Sequence, residues 1–241
     1  MDLSGRLQAL LKSEGASLVG FADLGEIPSD NRDNFPLGVS IGVALSPKII
    51  SDINEGPTYA YIEECLRLDS VLDGLGQLTA EFLTTNGYKA KRQATTNTAG
   101  SEYPPNLTTK LPHKNVATRA GLGWIGKNAI LVTKEFGSAV RLGSILTDAD
   151  LSVGTPINVS RCGECTACVK ICPAQAILGN NWKVGVLRDS LLNAVICRKT
   201  ARKRLIKRIG SEVVGRTFCG MCIAACPWTK SYLEKSVEAL F

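Results

Sequence analysis

Two periods of apolar residues run through the first 150 positions of this 241-residue chain. Leu3, Leu7, Leu10 and Leu11 recur at helical spacing in MDLSGRLQALLKS, which predicts an amphipathic first helix. SLVGFA (17–22) and GVSIGVAL (38–45) read as short buried strands, parted by the turn-rich EIPSDNRDNFPLG. Residues 57–86 carry a long helical pattern, with Tyr61, Cys65, Leu68, Leu72, Leu75, Leu78 and Phe82 on roughly one face and a stop at Asn86-Gly87. A strand, YKAKRQA, follows. The next stretch, TTNTAGSEYPPNLTTKLP (95–112), is long for a loop in a compact domain, and loops of that length are usually functional. Then come a short helix through VATRAG, the turn GLGWIGKN, and two β-like runs, AILVT (129–133) and AVRLGSILT (139–147). The pattern predicts an α/β layer to about residue 150.

Composition adds a compartment. With 44% apolar residues the chain can bury a sizeable core, as one large domain or two smaller ones. Nine cysteines would suit a disulfide scaffold in a short secreted chain, but this chain is long and its N-terminus lacks the layout of an export signal. No apolar run approaches the roughly 20 residues of a membrane span. The expectation is a cytoplasmic protein with reduced thiols and no membrane partner. Charge is uneven: residues 1–160 carry 14 Lys/Arg against 17 Asp/Glu, and residues 161–241 carry 14 against 5. RKTARKRLIKR (198–208) alone holds seven basic residues, several of them four apart as on a helix surface. Most such runs are solvated faces. Beside a redox centre, one this dense could steer an acidic electron carrier or a polyanion.

The basic part also holds the clustered cysteines. RCGECTACVKICPAQAI (161–177) contains Cys162, Cys165, Cys168 and Cys172, the last followed by Pro173; a second group is Cys219, Cys222 and Cys226, followed by Pro227, with Cys197 alone between them. Three cysteines spaced three apart wind the backbone around one corner of a cubane, and the fourth, before proline, leaves for a second cluster. By the crossed arrangement of two-cluster ferredoxins, one [4Fe-4S] cluster takes Cys162, Cys165, Cys168 and Cys226. The other takes Cys172, Cys197, Cys219 and Cys222. A pair of zinc sites is the competing reading, since C-x2-C pairs build those too, but tetrahedral zinc needs no C-x2-C-x2-C triplet and the chain has a single histidine, His113. Cys65, on the apolar face of the long helix, reads as a packed core thiol.

AGLGWIGKNAILVT (120–133) is the second informative stretch. Gly121, Gly123 and Gly126 permit close backbone approach, Trp124 offers a flat apolar face, Lys127 a cation, and Asn128 closes the turn. That set suits a large flat cofactor bearing amides or phosphates. It equally suits a tight glycine turn with Trp124 in the core and Lys127 in solvent. The glycines match no G-x-G-x-x-G fingerprint, and there is no P-loop.

In order and spacing, AGLGWIGKN, Gly137-Ser138, LGSILTDADL, CGECTACVKICPAQAI and CGMCIAACPW resemble the cobalamin-dependent epoxyqueuosine reductases and their relatives, the reductive dehalogenases. The likeness is dense from about 112 to 228. It implies an α+β chain: a nitroreductase-like α/β domain (1–155) that holds base-off cobalamin, then a two-cluster ferredoxin-like domain (156–241) that feeds it electrons. It also implies a corrinoid seated between the loop around 103–128 and the cluster ligated by Cys197, with Gly121, Gly123, Trp124, Gly126, Lys127 and Asn128 as cofactor contacts. Two departures stand out. The family's acidic proton donor would fall near Leu107, yet no Asp or Glu lies between Tyr103 and Thr118, leaving Tyr103 and His113 as the nearby substitutes. The chain also stops at Phe241, without the helical repeats that help such proteins hold tRNA, which makes tRNA a doubtful substrate.

The expected function is therefore an iron-sulfur oxidoreductase that passes electrons through two clusters to a bound corrinoid for reduction of a substrate the sequence does not name. The alternative is a non-catalytic electron-transfer or reductive-activation protein serving a corrinoid protein or another partner. FMN is a less favoured cofactor, since nitroreductase-like folds also hold it. The expected donor is acidic, such as a ferredoxin or flavodoxin.

Overall fold

The computed structural model describes residues 2–94, 107–210 and 217–238. Helix α1 (Leu3–Ser13) starts at Asp2, whose carboxylate accepts from the Gly5 amide at 2.8 Å, and buries Leu7 and Leu11. Strands β1 (Leu18–Asp23) and β2 (Leu37–Ala44) pair antiparallel, joined through a short 3-10 turn at Ser29–Arg32. A short helix, α2 (Pro47–Ser51), leads to the 27-residue α3 (Tyr59–Thr85). Thr58 caps α3 by accepting from the Tyr61 amide, and Gly87 in the left-handed region ends it as the Asn-Gly signal predicted. The strand expected at 88–94 is shorter, β3 (Ala90–Arg92).

Helix α4 (His113–Arg119) begins three residues before the expected one, because Pro112 supplies its N-cap. The hairpin β4 (Trp124–Ile125) and β5 (Leu131–Val132) uses only the last part of AILVT, since Ala129 turns the chain with φ +58°. Strand β6 (Val140–Thr147) completes a four-stranded antiparallel sheet in the order β1-β2-β6-β3. Residues beyond 155 form α5 (Ala167–Ile171), α6 (Ala194–Ile209), α7 (Met221–Ala224) and α8 (Pro227–Glu238).

Alternation along β2 decides how the sheet is covered. Val39, Ile41 and Val43 face the side where α1 and α3 bury Leu7, Leu11, Leu68 and Leu72. Gly38, Ser40 and Gly42 face the other side, where a Cβ on Gly38 would sit 3.0 Å from the Val116 side chain of α4. Helices thus cover both faces of an antiparallel sheet, which agrees with the α+β class. The first core does not stop at residue 155. Leu205, Phe218 and Ala224 are buried in it, and the Tyr232 hydroxyl of α8 donates to the Leu45 carbonyl at 3.0 Å.

Candidate metal centres and an adjoining cavity

Helix α5 holds Cys168 and ends at Cys172, whose backbone turns extended (ψ 110°) because Pro173 follows. Cys162 and Cys165 precede α5, tied by an amide-to-carbonyl bond of 3.0 Å. Cys226 comes from far down the chain, just before Pro227 opens α8. These four cysteines, with Lys127, Asn128, Val132, Pro227 and Trp228, line a cavity of about 100 Å³. Burial and then the neighbouring thiols Cys162, Cys226 and Cys165 push Cys168 up to about 11. Burial also raises Cys226, against the opposing pull of the Thr229 and Trp228 amides and the Ser138 hydroxyl on its sulfur.

The other cysteines gather separately. Burial followed by Cys172 and Cys219 pushes Cys197, in the first turn of α6, up to about 11. Cys222, inside α7, is raised strongly by burial and then by Cys219, Cys197, Cys168 and Cys172. The Cys172 sulfur accepts from the Ala176 amide at 3.5 Å. Thus the structure brings Cys162, Cys165, Cys168 and Cys226 to one place, and Cys172, Cys197, Cys219 and Cys222 to another. All nine cysteines are free thiols, and Cys65 is fully buried in the main core. Among the described residues no group of three or more His, Cys, Asp or Glu is arranged to hold a metal ion.

Two further groups test the fit. Lys127 is 5% exposed and has no hydrogen bond or ion pair among the described residues, yet it lines the same small cavity as the first four thiols. Trp124 is fully buried, packs in one apolar cluster with Cys162 and Cys226, and leaves its indole Nε1 without a partner. A lysine lining the thiol cavity suits an anionic occupant, which an iron-sulfur cubane with four thiolates is.

None of the six candidate residues of the turn at 121–128 is among those lining the large cavity described below. Gly121 and Gly123 do allow close approach, but of the chain's own backbone: an added Cβ would lie 2.6 Å from the Thr155 carbonyl oxygen and 2.2 Å from that of Val132. Gly126 is crowded by Asn128 and Val132. Asn128 accepts from the Ile130 amide and donates to the Ser138 hydroxyl, shaping the turn itself. Trp124 meets Trp228 edge to face, with the Arg161 guanidinium 5.6 Å over its ring.

The large cavity, about 640 Å³, opens where β3 stops pairing with β6. Val140–Leu142 of β6, α4, the β4-β5 hairpin and residues 182–191 line it. Its wall is apolar at Ile125, Leu131, Trp182 and Leu191, and polar at Asn115, Thr118, Arg119 and Arg141. Arg141 donates to the Asp69 carboxylate of α3 through Nε (3.0 Å) and Nη2. His113 is fully engaged: Nε2 donates to the Ala94 carbonyl at 3.2 Å, so Nδ1 accepts from the Ser144 hydroxyl at 3.0 Å. Burial lowers its pKa and keeps it neutral. Tyr103 lies outside the described residues. Lys114, which the sequence reading passed over, lines the cavity, donates to the Ala129 carbonyl at 2.7 Å, and is lowered to about 8 by burial and then by Arg188. Its only sequence signal is a lysine in the first turn of a short apolar helix. At Leu107 the backbone carbonyl accepts from Arg188 at 2.6 Å. Ile125, Ala129, Trp182 and Leu191 belong both to this wall and to the apolar cluster containing Trp124, Cys162 and Cys226.

On the surface, α6 shows Val195, Lys199, Arg202, Lys203, Ile206 and Lys207 to solvent. Arg204 and Arg208 turn inward to the carbonyls of Glu55 and Pro57. No described helix is long and apolar enough to cross a membrane.

Fold and site together define an iron-sulfur protein of α+β architecture: residues 161–229 match the 4Fe-4S double cluster binding domain. The resemblance carried by the motifs holds in the particular proteins it is similar to. The chain is 37% identical over 122 residues to the epoxyqueuosine reductase of Lactococcus garvieae, covering 48% of this chain and 31% of that protein. It therefore aligns with about a third of that relative's length. An epoxyqueuosine reductase solved with an epoxyqueuosine-modified tRNA-Tyr stem loop superposes with TM-score 0.64 and 22% identity, over 95% of this chain and 66% of that one. A reductive dehalogenase whose structure suggests a mechanism for B12-dependent dehalogenation superposes with TM-score 0.69 and 17% identity, over 97% and 34%. At these identities the two structures establish the fold.

Proposed function

We propose that the chain is a reductase in which two [4Fe-4S] clusters deliver single electrons to a corrinoid held in the 640 Å³ cavity, where a bound substrate is reduced. The observation that carries this reading is the shared wall: Ile125, Ala129, Trp182 and Leu191 separate the cavity from Trp124 and the thiols of Cys162 and Cys226. One cluster takes Cys162, Cys165, Cys168 and Cys226, the other Cys172, Cys197, Cys219 and Cys222; the shared wall favours the Cys162 set as the one beside the cavity, where the resemblance implied the cluster ligated by Cys197. The residues present fit a corrinoid. Leu131, Trp182 and Leu191 suit the flat macrocycle, and Asn115, Thr118 and Arg119 suit its peripheral amides. The engaged ring of His113 leaves no free imidazole for cobalt, in keeping with base-off binding. When bound, cobalamin supplies low-potential chemistry at cobalt. Lys114 holds a proton in the same cavity, bonded to Ala129, in a region where the family's acid is absent. The exposed cationic face of α6, the helix that carries Cys197, suits an acidic electron donor.

The test is anaerobic reconstitution followed by titration with cobalamin and, separately, FMN, watched by absorbance and EPR. A base-off cobalt(II) signal at one equivalent supports the reading. No spectral change with cobalamin sinks it and leaves an electron-transfer protein; saturation by FMN alone replaces the corrinoid with a flavin. The first substrate to assay is an epoxyqueuosine-containing stem loop, the ligand named for one solved relative.

A further inference from the structure

Lys127 is the one feature of the GLGWIGKN turn that neither the turn's own shape nor the large cavity explains. Lys127 is 5% exposed and no hydrogen bond or ion pair holds it among the described residues; a cation so placed is stabilised where a negative charge faces it. What faces Lys127 is the cavity lined by Cys162, Cys165, Cys168 and Cys226. The partnerless Nε1–H of Trp124 sits in the apolar cluster that contains Cys162 and Cys226. The β4-β5 hairpin thus places a cation on the cavity of this foursome and packs Trp124 beside two of its thiols, and the backbone contacts at Gly123 lock the hairpin in place.

We infer that Lys127, supported by Trp124, sets the reduction potential of the cluster held by Cys162, Cys165, Cys168 and Cys226, making it the easier of the two to reduce by that contact. The inference rests on the two-cluster reading above. When the cluster accepts one electron from a donor, the four-thiolate unit gains one negative charge and no proton is required. A fixed cation nearby in a low-dielectric site stabilises the reduced form more than the oxidised one, and so raises the potential. Lys127 lines the cavity of the first foursome, and none of Cys172, Cys197, Cys219 and Cys222 lines it. The relay is therefore asymmetric, and the cluster adjoining the large cavity is the one on which the electron rests.

The experiment is an EPR-monitored dithionite titration of the reconstituted protein, with iron per chain measured on the same samples. Lys127→Gln should lower the midpoint of one cluster only. The expected effect is at least a tenfold loss of its reduced fraction at fixed potential, about 59 mV for a one-electron couple. Lys127→Arg should stay near the wild type. Arg202→Gln, the same charge change on an exposed face of α6, should leave both midpoints in place because solvent and salt screen it. Unchanged midpoints in Lys127→Gln at full iron content overturn the inference while leaving the clusters standing. If Lys127→Gln loses one cluster, retention of both by Lys127→Arg upholds the charge role, and loss in both variants overturns it in favour of shape. Wild-type protein with fewer than about eight irons per chain removes the cluster reading itself.

Discussion

Replacing Cys226 by alanine should remove one cluster and leave the other, lowering iron from about eight to about four per chain. Cys226 lines one cavity with Cys162, Cys165 and Cys168 although 58 positions separate it from Cys168. Taken alone, a crosslink closing a loop of that length is worth about 4 kcal/mol by the chain-entropy relation used for disulfides. The second cluster changes that figure. While Cys172 stays tied to Cys222, the ring that reopens runs only from Cys168 to Cys172 and from Cys222 to Cys226, roughly eight residues, and the same relation gives about 2.5 kcal/mol. Cys226→Ala should therefore stay folded but melt earlier. Cys168→Ala should behave alike, and the double variant should lose no more iron than either single one. Cys222→Ala should remove the other half. The assay is iron and acid-labile sulfide per chain after anaerobic reconstitution, with thermal melts under the same atmosphere. A Cys168→Ala/Cys226→Ala double variant stripped of all iron would refute the crossed assignment, as would a Cys226→Ala variant that kept about eight irons.

Gly123→Ala should destabilise by about 3 kcal/mol or more, because its Cβ would lie 2.2 Å from the Val132 carbonyl oxygen and force the β4-β5 hairpin apart. Denaturant midpoints check it, and a loss under about 1 kcal/mol would show that the hairpin yields. Lys114 tests the polarity of the large cavity: its pKa falls from the ordinary 10.5 to about 8, so between those values the unfolded chain binds a proton that the folded chain does not. Native stability should rise with pH across that window, by on the order of 2 to 3 kcal/mol. In Lys114→Met that rise should be missing and the protein should be the more stable one at pH 7; parallel stability profiles of the two proteins from pH 7 to 10.5 would refute the buried ammonium.

Much of this was legible from one-dimensional patterns because the physics behind them is local. The period of Tyr61, Cys65, Leu68 and Leu72 is the buried face of α3, and the alternation of Val39, Ile41 and Val43 is the α3-facing side of β2. Cysteine spacing, with Pro173 and Pro227, divides the thiols into the same two sets that the fold gathers in two places. The turn at 121–128 was legible as a place of close approach but not as to what approaches it. Its glycines do mark close backbone approach, but whether the approaching group is a cofactor or Val132 depends on a hairpin two residues wide. Lys127 was equally beyond reach, since its neighbours Cys162 and Cys226 lie 35 and 99 positions away. The large cavity is assembled from residues near 26, 69, 107–142 and 182–191, so no window of sequence contains it.

The joint between the sheet and the cysteine region bears on how electrons move. If residues 156–241 formed a free-standing ferredoxin, the distance from cluster to cavity would vary with every hinge motion. Here Leu205 of α6, Phe218 and Ala224 of α7 are buried in the same core as Val39 and Ile41 of β2. The Ser138 amide, one residue after Gly137, donates to the Thr229 hydroxyl at 3.0 Å, and a Cβ on Gly137 would strike the Thr229 backbone at 2.2 Å. That contact fixes the first turn of α8, and with it Cys226, against the loop that leads into β6. Packed cores of this kind do not deform continuously. The spacing between the Cys162 foursome and the cavity wall is therefore set by the fold.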